Sequence, residues 1–373
     1  MIKLNKAYKF RLYPNKAQSE MINKTIGCAR FIYNKMLDDK ISFYKENKAM
    51  LKNSPAQYKK EFEFLKEVDS LALANSQINL NKAFSNFFSK NKKGKKSGFP
   101  KFKSKRKSNN SYTTNNQNGS IRIENKKVKL PKIGFIKVIE HRKLDGKIKS
   151  ATISLTKTGK YFISILVEYE SQVQAKKIKN VIGLDFSMKS LYVDSNGNSA
   201  DYPRFFRKSI SKLVKKQRVL SKCKIGGSNY KKQKRKVALL HEKVANQRKD
   251  FLHKKSHYLS ENYDMVCIED LDMKGMSKCL NFGKSVSDNS WGMFTGFLSY
   301  KLTNNGKLLF KVDKWFPSSK KCSSCGELNK SLKLSDRSWV CDFCGAMHDR
   351  DENAANNLKT AGTAELARVN LRQ

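Results

Sequence analysis

Apolar and polar residues alternate through Tyr8-Lys9-Phe10-Arg11-Leu12-Tyr13-Pro14. That is the period-two pattern of a strand, and Pro14 closes it. From Lys16 the period lengthens. Met21, Ile22, Ile26, Ala29, Ile32, Tyr33, Met36 and Leu37 recur at steps of three and four, which predicts an amphipathic helix. A second helix is predicted on Leu71, Ala74, Ile78, Ala83, Phe84, Phe87 and Phe88, with most of these side chains as core. Between Ile121 and Tyr169 short β-rich runs alternate with turns: Lys149 to Leu155, then Thr158-Gly159, then Tyr161 to Val167. They predict a small β domain that the Tyr8 strand can join.

Lys176 to Asn180 reads as a linker. Beyond it Val181-Ile182-Gly183-Leu184 is an apolar strand ending at Asp185. Leu191 to Asp194, followed by Ser195-Asn196-Gly197, predicts a hairpin. Met265-Val266-Cys267-Ile268 is another strand and ends at Glu269. Between them Leu213, Val214, Val219 and Leu220, then Val237, Leu240, Val244, Phe251 and Leu252, give helical stripes that Gly226-Gly227 divides into two helices. His348 to Leu358 is helix-like. Strands and helices thus mix as in an α/β domain. No internal repeat, secretory signal or long apolar run is apparent, so a cytoplasmic chain with reduced cysteines is expected.

Charge changes the picture. The 373 residues include 77 Lys plus Arg against 32 Asp plus Glu, a net charge of +45. A hydrophobic share of 39% excludes a disordered basic tail and allows two or three domains. Such self-repulsion calls for an anionic partner. Nucleic acid fits better than a membrane surface, because many cationic contacts release counterions from a polyphosphate. The charge is also concentrated. Residues 90–107 hold ten Lys or Arg and no acid, and a polar Asn/Ser/Thr stretch follows to Asn118. Residues 207–255 hold eighteen against Glu242 and Asp250. A long helical pair of one sign is unfavourable without something anionic alongside. Lys92, Lys93, Lys95, Lys96, Arg207, Lys215, Lys216, Arg218, Lys231, Lys232 and Arg235 are the candidate phosphate contacts.

Two constellations carry chemistry. Cys322-Ser323-Ser324-Cys325 and Cys341-Asp342-Phe343-Cys344 flank fifteen residues, and Gly326 and Gly345 follow them. Two such knuckles fill a tetrahedral Zn²⁺ site, which is then structural because no position stays open. Cys28, Cys223, Cys267 and Cys279 lack such spacing and read as ordinary or buried thiols, and His348 as a surface or structural residue rather than a fifth ligand. The second constellation is acidic: Asp185 and Glu269 at strand ends, and Asp349 or Asp351 in the helix-like segment. An acid at a strand end is commonly a turn or cap. Together they match the hard-oxygen ligands of two Mg²⁺ ions in phosphodiester cleavage. Spacing does not choose between Asp349 and Asp351.

In these blocks the sequence resembles the TnpB/OrfB family of bacterial insertion sequences, relatives of type V CRISPR effectors. The matching blocks run in order along nearly the whole chain. They are Lys6-Ala7-Tyr8-Lys9-Phe10-Arg11-Leu12-Tyr13-Pro14, Phe99-Pro100-Lys101-Phe102-Lys103, Gly183-Leu184-Asp185, Ile268-Glu269-Asp270-Leu271, Ser290-Trp291-Gly292-Met293-Phe294, Phe316-Pro317-Ser318-Ser319-Lys320 and Asp349-Arg350-Asp351-Glu352-Asn353-Ala354-Ala355. Ser187 departs from the Gly of many relatives.

The resemblance implies an RNase H-like (RuvC) nuclease domain with an inserted zinc ribbon, preceded by a β-rich domain carrying a helical recognition insertion. The expected bounds are 1–178 for the wedge-like β domain, with its helical lobe at about 15–118. They are 179–310 for the nuclease with its basic pair at 207–260, 311–347 for the ribbon, and 348–373 for the final nuclease segment. It also implies catalytic, Mg²⁺-holding roles for Asp185, Glu269 and Asp351, a guide RNA, and target DNA cut beside a short flanking motif. The rival readings are a strand-transferring transposase and a catalytically silent DNA-binding regulator. No oligomeric state is implied.

Overall fold

The computed structural model describes residues 2–89, 94, 97–106, 108–171, 174–279, 283, 288–333 and 335–370. The chain divides into two compact units, Met1–Gln172 and Val173–Gln373.

In the first unit β1 (Ile2–Tyr13), β2 (Asn110–Asn115), β3 (Arg122–Glu124), β4 (Lys127–Leu130), β5 (Gly134–Ile139), β6 (Lys147–Leu155) and β7 (Tyr161–Ser171) form one antiparallel sheet, in the order β2-β6-β7-β1-β5-β4-β3. The first strand in sequence is therefore central. It pairs with β7 from Ile2↔Ser171 to Leu12↔Tyr161, and with β5 at Arg11–Tyr13. Its alternation sends Tyr8, Phe10 and Leu12 into a core with Ile136, Val138, Ile153, Ile163 and Ile165. The polar stretch at 110–115 forms β2, where Tyr112 and Thr114 point inward. Threonine suits a half-buried pleated surface as well as it suits a turn.

Three helices lie between β1 and β2: α1 (Lys16–Asn47), α2 (Tyr58–Glu61) and α3 (Ser70–Phe88). Asn15 and Gln18 close α1 with a reciprocal capping box, and Asp69 accepts the Leu71 N–H at the start of α3. The apolar stripe of α1 serves two cores. Ile22, Ile26 and Ala29 rest on the sheet, whereas Ile32, Tyr33, Met36 and Leu37 meet Leu65, Val68, Leu73, Leu80 and Phe84. The buried face of α3 differs from the one expected. Leu73, Ser76, Leu80 and Phe84 are inside, whereas Ile78 and Phe88 are exposed. The reason is that α1 meets the 73–80–84 line, and Phe88 instead joins Phe84, Phe87 and Phe99 in an aromatic group.

The second unit is built on β8 (Val181–Ser187), β9 (Leu191–Asp194), β10 (Met265–Glu269) and β11 (Leu308–Val312), in the order β11-β10-β8-β9. Here β8 and β9 are antiparallel, while β10 runs parallel to both β8 and β11. This is the RNase H-like arrangement. The Ser195–Gly197 turn returns the chain so that Ser199 bridges Val193, a rudiment of a further strand. The connections are helical: α4 (Phe205–Ser221), α5 (Ser228–Asn262), α6 (Met273–Cys279) and α7 (Trp291–Asn304).

Strand periodicity divides the side chains between two faces. Ile182, Leu184, Val266 and Ile268 pack with Leu252 and Leu259 of α5 and with Phe294, Leu298 and Leu302 of α7. Met265, Cys267 and Val312 face the other way, toward Leu358 on the final helix, α8 (Arg350–Asn370). Between β11 and α8 lies the ribbon, with its two-stranded sheet of β12 (Ser338–Val340) and β13 (Met347–Asp349). Among the described residues no helix is long and apolar enough to cross a membrane.

Candidate active site and metal centre

The position of α8 follows from two glycines. A Cβ on Gly183 would overlap the carbonyl oxygen of Ala355, and one on Gly362 would overlap the Cys267 thiol. Their absence lets α8 lie directly on β8 and β10. Gly183 and Asp185 are two residues apart and share a strand face, so the face that admits α8 also carries Asp185. In the parallel register Ile268 stands beside Leu184, which places Glu269 next in line beside Asp185.

Three elements thus direct acids to one place. Burial raises the Asp185 carboxyl well above the ordinary carboxylate range, and the charges of Asp351 and then Glu269 push it further; Arg350 opposes them. Burial also raises Glu269. Asp349 and Asp351 separate clearly. The Asp349 Oδ1 accepts the N–H groups of Asp351 and Glu352 at 3.0 Å each, so it caps α8. Asp351 lies a half-turn on, where its charge reaches Asp185. Arg337, brought by the ribbon, sets its Nη1 3.5 Å from Asp351 Oδ1. Sequence reasoning missed this arginine, since one Arg among 77 basic residues carries no signal.

Among the described residues only the cysteine quartet gathers three or more ligand atoms within 4.8 Å of one another. The acids stand wider apart. Two ions about 3.5–4 Å apart, each with oxygens at about 2.1 Å, spread their outer ligands over roughly 8 Å, so a looser trio suits that chemistry.

Cys322, Cys325, Cys341 and Cys344 come together at the mouth of the ribbon. Sγ–Sγ separations are 3.7 Å for Cys322–Cys344 and 3.6 Å for Cys325–Cys341. Thiolates around one tetrahedral Zn²⁺ at about 2.3 Å stand about 3.8 Å apart, a spacing these two separations match. Gly326 and Gly345 have φ of +88° and +70°, the left-handed turn that each knuckle needs. His348 is buried against Trp339, with its Nε2 3.0 Å from Cys322 Sγ. Burial alone would raise the Cys322 thiol, but the Cys325 N–H and the His348 ring bring it down to about 5. His348 is thus a buried structural residue in contact with one of the four cysteines. Cys28 and Cys267 are buried and Cys223 half-buried; the Cys279 side chain lies outside the described residues.

Lys92, Lys93, Lys95 and Lys96 also lie outside the described residues. Arg207, Lys215 and Arg218 on α4 and Lys231, Lys232 and Arg235 on α5 are exposed, and Lys216 is half-buried. The two helices pack together, with Gln233 Nε2 donating to the Lys216 carbonyl at 2.9 Å, so their cations form one basic arm. In the first unit a cleft of about 380 Å³ opens between α1, α3 and β2. It is lined by Arg30, Tyr33, Asn75, Asn79, Lys103 and Thr113. The Lys103 ammonium lies 3.7 Å from the Tyr33 ring centre, and burial lowers its pKa.

The fold of the chain is that of a compact CRISPR effector of the Cas12f type. A chain from a Cas12f1–sgRNA–target DNA complex superposes with a TM-score of 0.60 at 15% identity, covering 96% of this chain and 99% of that one. The chain belongs to the OrfB/TnpB family. An IS605 OrfB family model described as "Probable transposase" matches residues 164–280, and a Cas12f1-like TNB domain model matches 291–358. A helix-turn-helix model of the same OrfB group matches 1–49, which here form β1 and α1. A "Putative RNA-guided DNA endonuclease" of Streptomyces pristinaespiralis is 35% identical over 98% of this chain and 92% of its own length. InsQ of Escherichia coli K12, which carries the same description, is 31% identical over 97% and 93%.

Proposed function

We propose that this protein is an RNA-guided, Mg²⁺-dependent DNA endonuclease of a transposable element, with Asp185, Glu269 and Asp351 as its metal-holding acids. What supports the reading is that β8, β10 and α8 each bring one acid within electrostatic reach, so that the charges of Asp351 and Glu269 add to the burial that pushes the Asp185 carboxyl up. Crowded carboxylates with raised pKa values are costly unless cations share the site. Asp185, Glu269 and Asp351 would hold the Mg²⁺, which would supply charge neutralisation for phosphodiester cleavage. The protein's part is positioning. Asp349 fixes the start of α8, Gly183 seats it, and Arg337 offers a guanidinium to the phosphate. The basic arm of α4 and α5 holds nucleic-acid backbone. The cleft with Arg30, Lys103 and Asn79 would grip the short flanking DNA motif. Base pairing to a guide RNA supplies sequence specificity. The ribbon holds one structural Zn²⁺.

The test is to express the protein with its flanking genomic RNA, sequence the RNA that copurifies, and assay cutting of matched DNA. Cleavage should need Mg²⁺ and fall more than about 100-fold in Asp185→Ala. DNA ends joined without RNA would favour a strand-transferring transposase. Tight DNA binding with no bound RNA and no cutting would favour a silent regulator.

A further inference from the structure

Helix α8 meets the first cysteine knuckle through two buried asparagines. Asn353 stands two residues past Asp351 and Asn357 one turn further on the same face, with relative exposures of 1% and 4%. Asn353 Oδ1 accepts the Ser323 N–H at 2.9 Å, inside the first Cys-x-x-Cys, and its Nδ2 donates to the Lys321 carbonyl at 2.8 Å. Asn357 Nδ2 donates to the Ser318 and Lys321 carbonyls at 2.8 and 2.6 Å. Asparagine is a poor interior helix residue, and two buried ones a turn apart need a reason. An aliphatic side chain at either position would leave knuckle backbone groups buried and unpaired.

We propose that Asn353 and Asn357 are positioning residues that make metal affinity at Asp185, Glu269 and Asp351 depend on zinc in the ribbon. The proposal rests on the reading of those acids as metal ligands. With Cys322 and Cys325 sharing one ion, the Ser323 N–H and the Lys321 carbonyl hold fixed places, and the two amides register α8 against them. Asp351 sits at the N-terminal end of that register, beyond the cap of Asp349. When the knuckle opens, the amide partners move and the first turn of α8 is free to shift away from Asp185. Coupling of two sites through one element is reciprocal, so a divalent ion at the acids should also slow zinc loss.

The test uses full-length wild type, Asn353→Ala, Asn357→Ala and Asp185→Asn proteins, each shown by metal analysis to hold one zinc. Mn²⁺ alone is titrated into each and followed by electron paramagnetic resonance. Mn²⁺ affinity should fall about tenfold or more in both asparagine variants. Affinity for DNA should be unchanged while kcat falls. Release of zinc to a chromophoric chelator should quicken in the variants, and added Mn²⁺ should slow it in the wild type alone. Should Asn353→Ala not accumulate as zinc-loaded protein, Asn357→Ala, which touches the cysteine loop only at its edge, decides. Wild-type Mn²⁺ affinity in a zinc-loaded asparagine variant overturns the proposal. Mn²⁺ binding that survives Asp185→Asn removes the acid-trio reading and this proposal with it. Binding lost in Asp185→Asn but normal in the asparagine variants removes the clamp alone.

Discussion

At the scale of single residues, Asp185 is a buried carboxyl pressed by two neighbouring acids. Its folded pKa lies above the unfolded value, so its ionisation opposes folding. Stability of the protein without Mg²⁺ should therefore decline as pH rises from the ordinary carboxylate range through the raised pKa. Glu269 adds to the same trend. Replacing Asp185 with Asn relieves that charge. Near neutral pH and without Mg²⁺, Asp185→Asn should melt higher than wild type, by roughly 2–4 °C per kcal/mol relieved, and should lose the rise in Tm that Mg²⁺ gives the wild type. A variant melting with or below wild type under those conditions would count against charge crowding. The strand-end acids and the four cysteines are visible in the sequence because spacing and apolar flanks mark them. The distinction between Asp349 and Asp351 is not. It depends on which carboxylate the first turn of α8 consumes as a cap, a matter of backbone N–H direction.

Elements explain why those residues meet. The Gly-Leu-Asp run at 183–185 looks in sequence like a strand end. In the fold its glycine is the seat of α8, with the Ala355 carbonyl occupying the space of a side chain. Gly183→Val should destabilise the protein by about 1–3 kcal/mol through overpacking, and should abolish cleavage although every acid is intact. Gly296, in the interior of α7, has open space around a Cβ, and Gly296→Ala should stabilise by about 0.5–1 kcal/mol. Denaturant melts of the two variants check the contrast. Element types were legible wherever one period ran for several turns, as in α1, the split between α4 and α5, and the paired apolar strands. Faces were less so. The exposed Ile78 and Phe88 on α3 show that helical spacing alone leaves the contacting line undetermined when apolar residues nearly encircle a helix. The strand at 110–115 escaped notice because its inward residues include a threonine, and its neighbours are asparagine and serine.

For the whole molecule, charge is the property that sequence conveys most directly. The structure shows the cations of residues 207–255 drawn out along two packed helices. Neutralising one exposed lysine, such as Lys231 or Lys232, should weaken nucleic-acid binding about equally across sequences and lower the log–log salt slope by about one. A change confined to one sequence would point to base contact instead. The same molecule sets a kinetic problem for its own synthesis. Because β1 lies in the middle of its sheet, with Ile2 opposite Ser171, it leaves the ribosome before either of its partners, β5 and β7, has been made. Such long-range pairing makes for slow folding. Meanwhile both edges of a strand with one apolar face are open to wrong pairing, so a chaperone at the tunnel exit would help this protein fold.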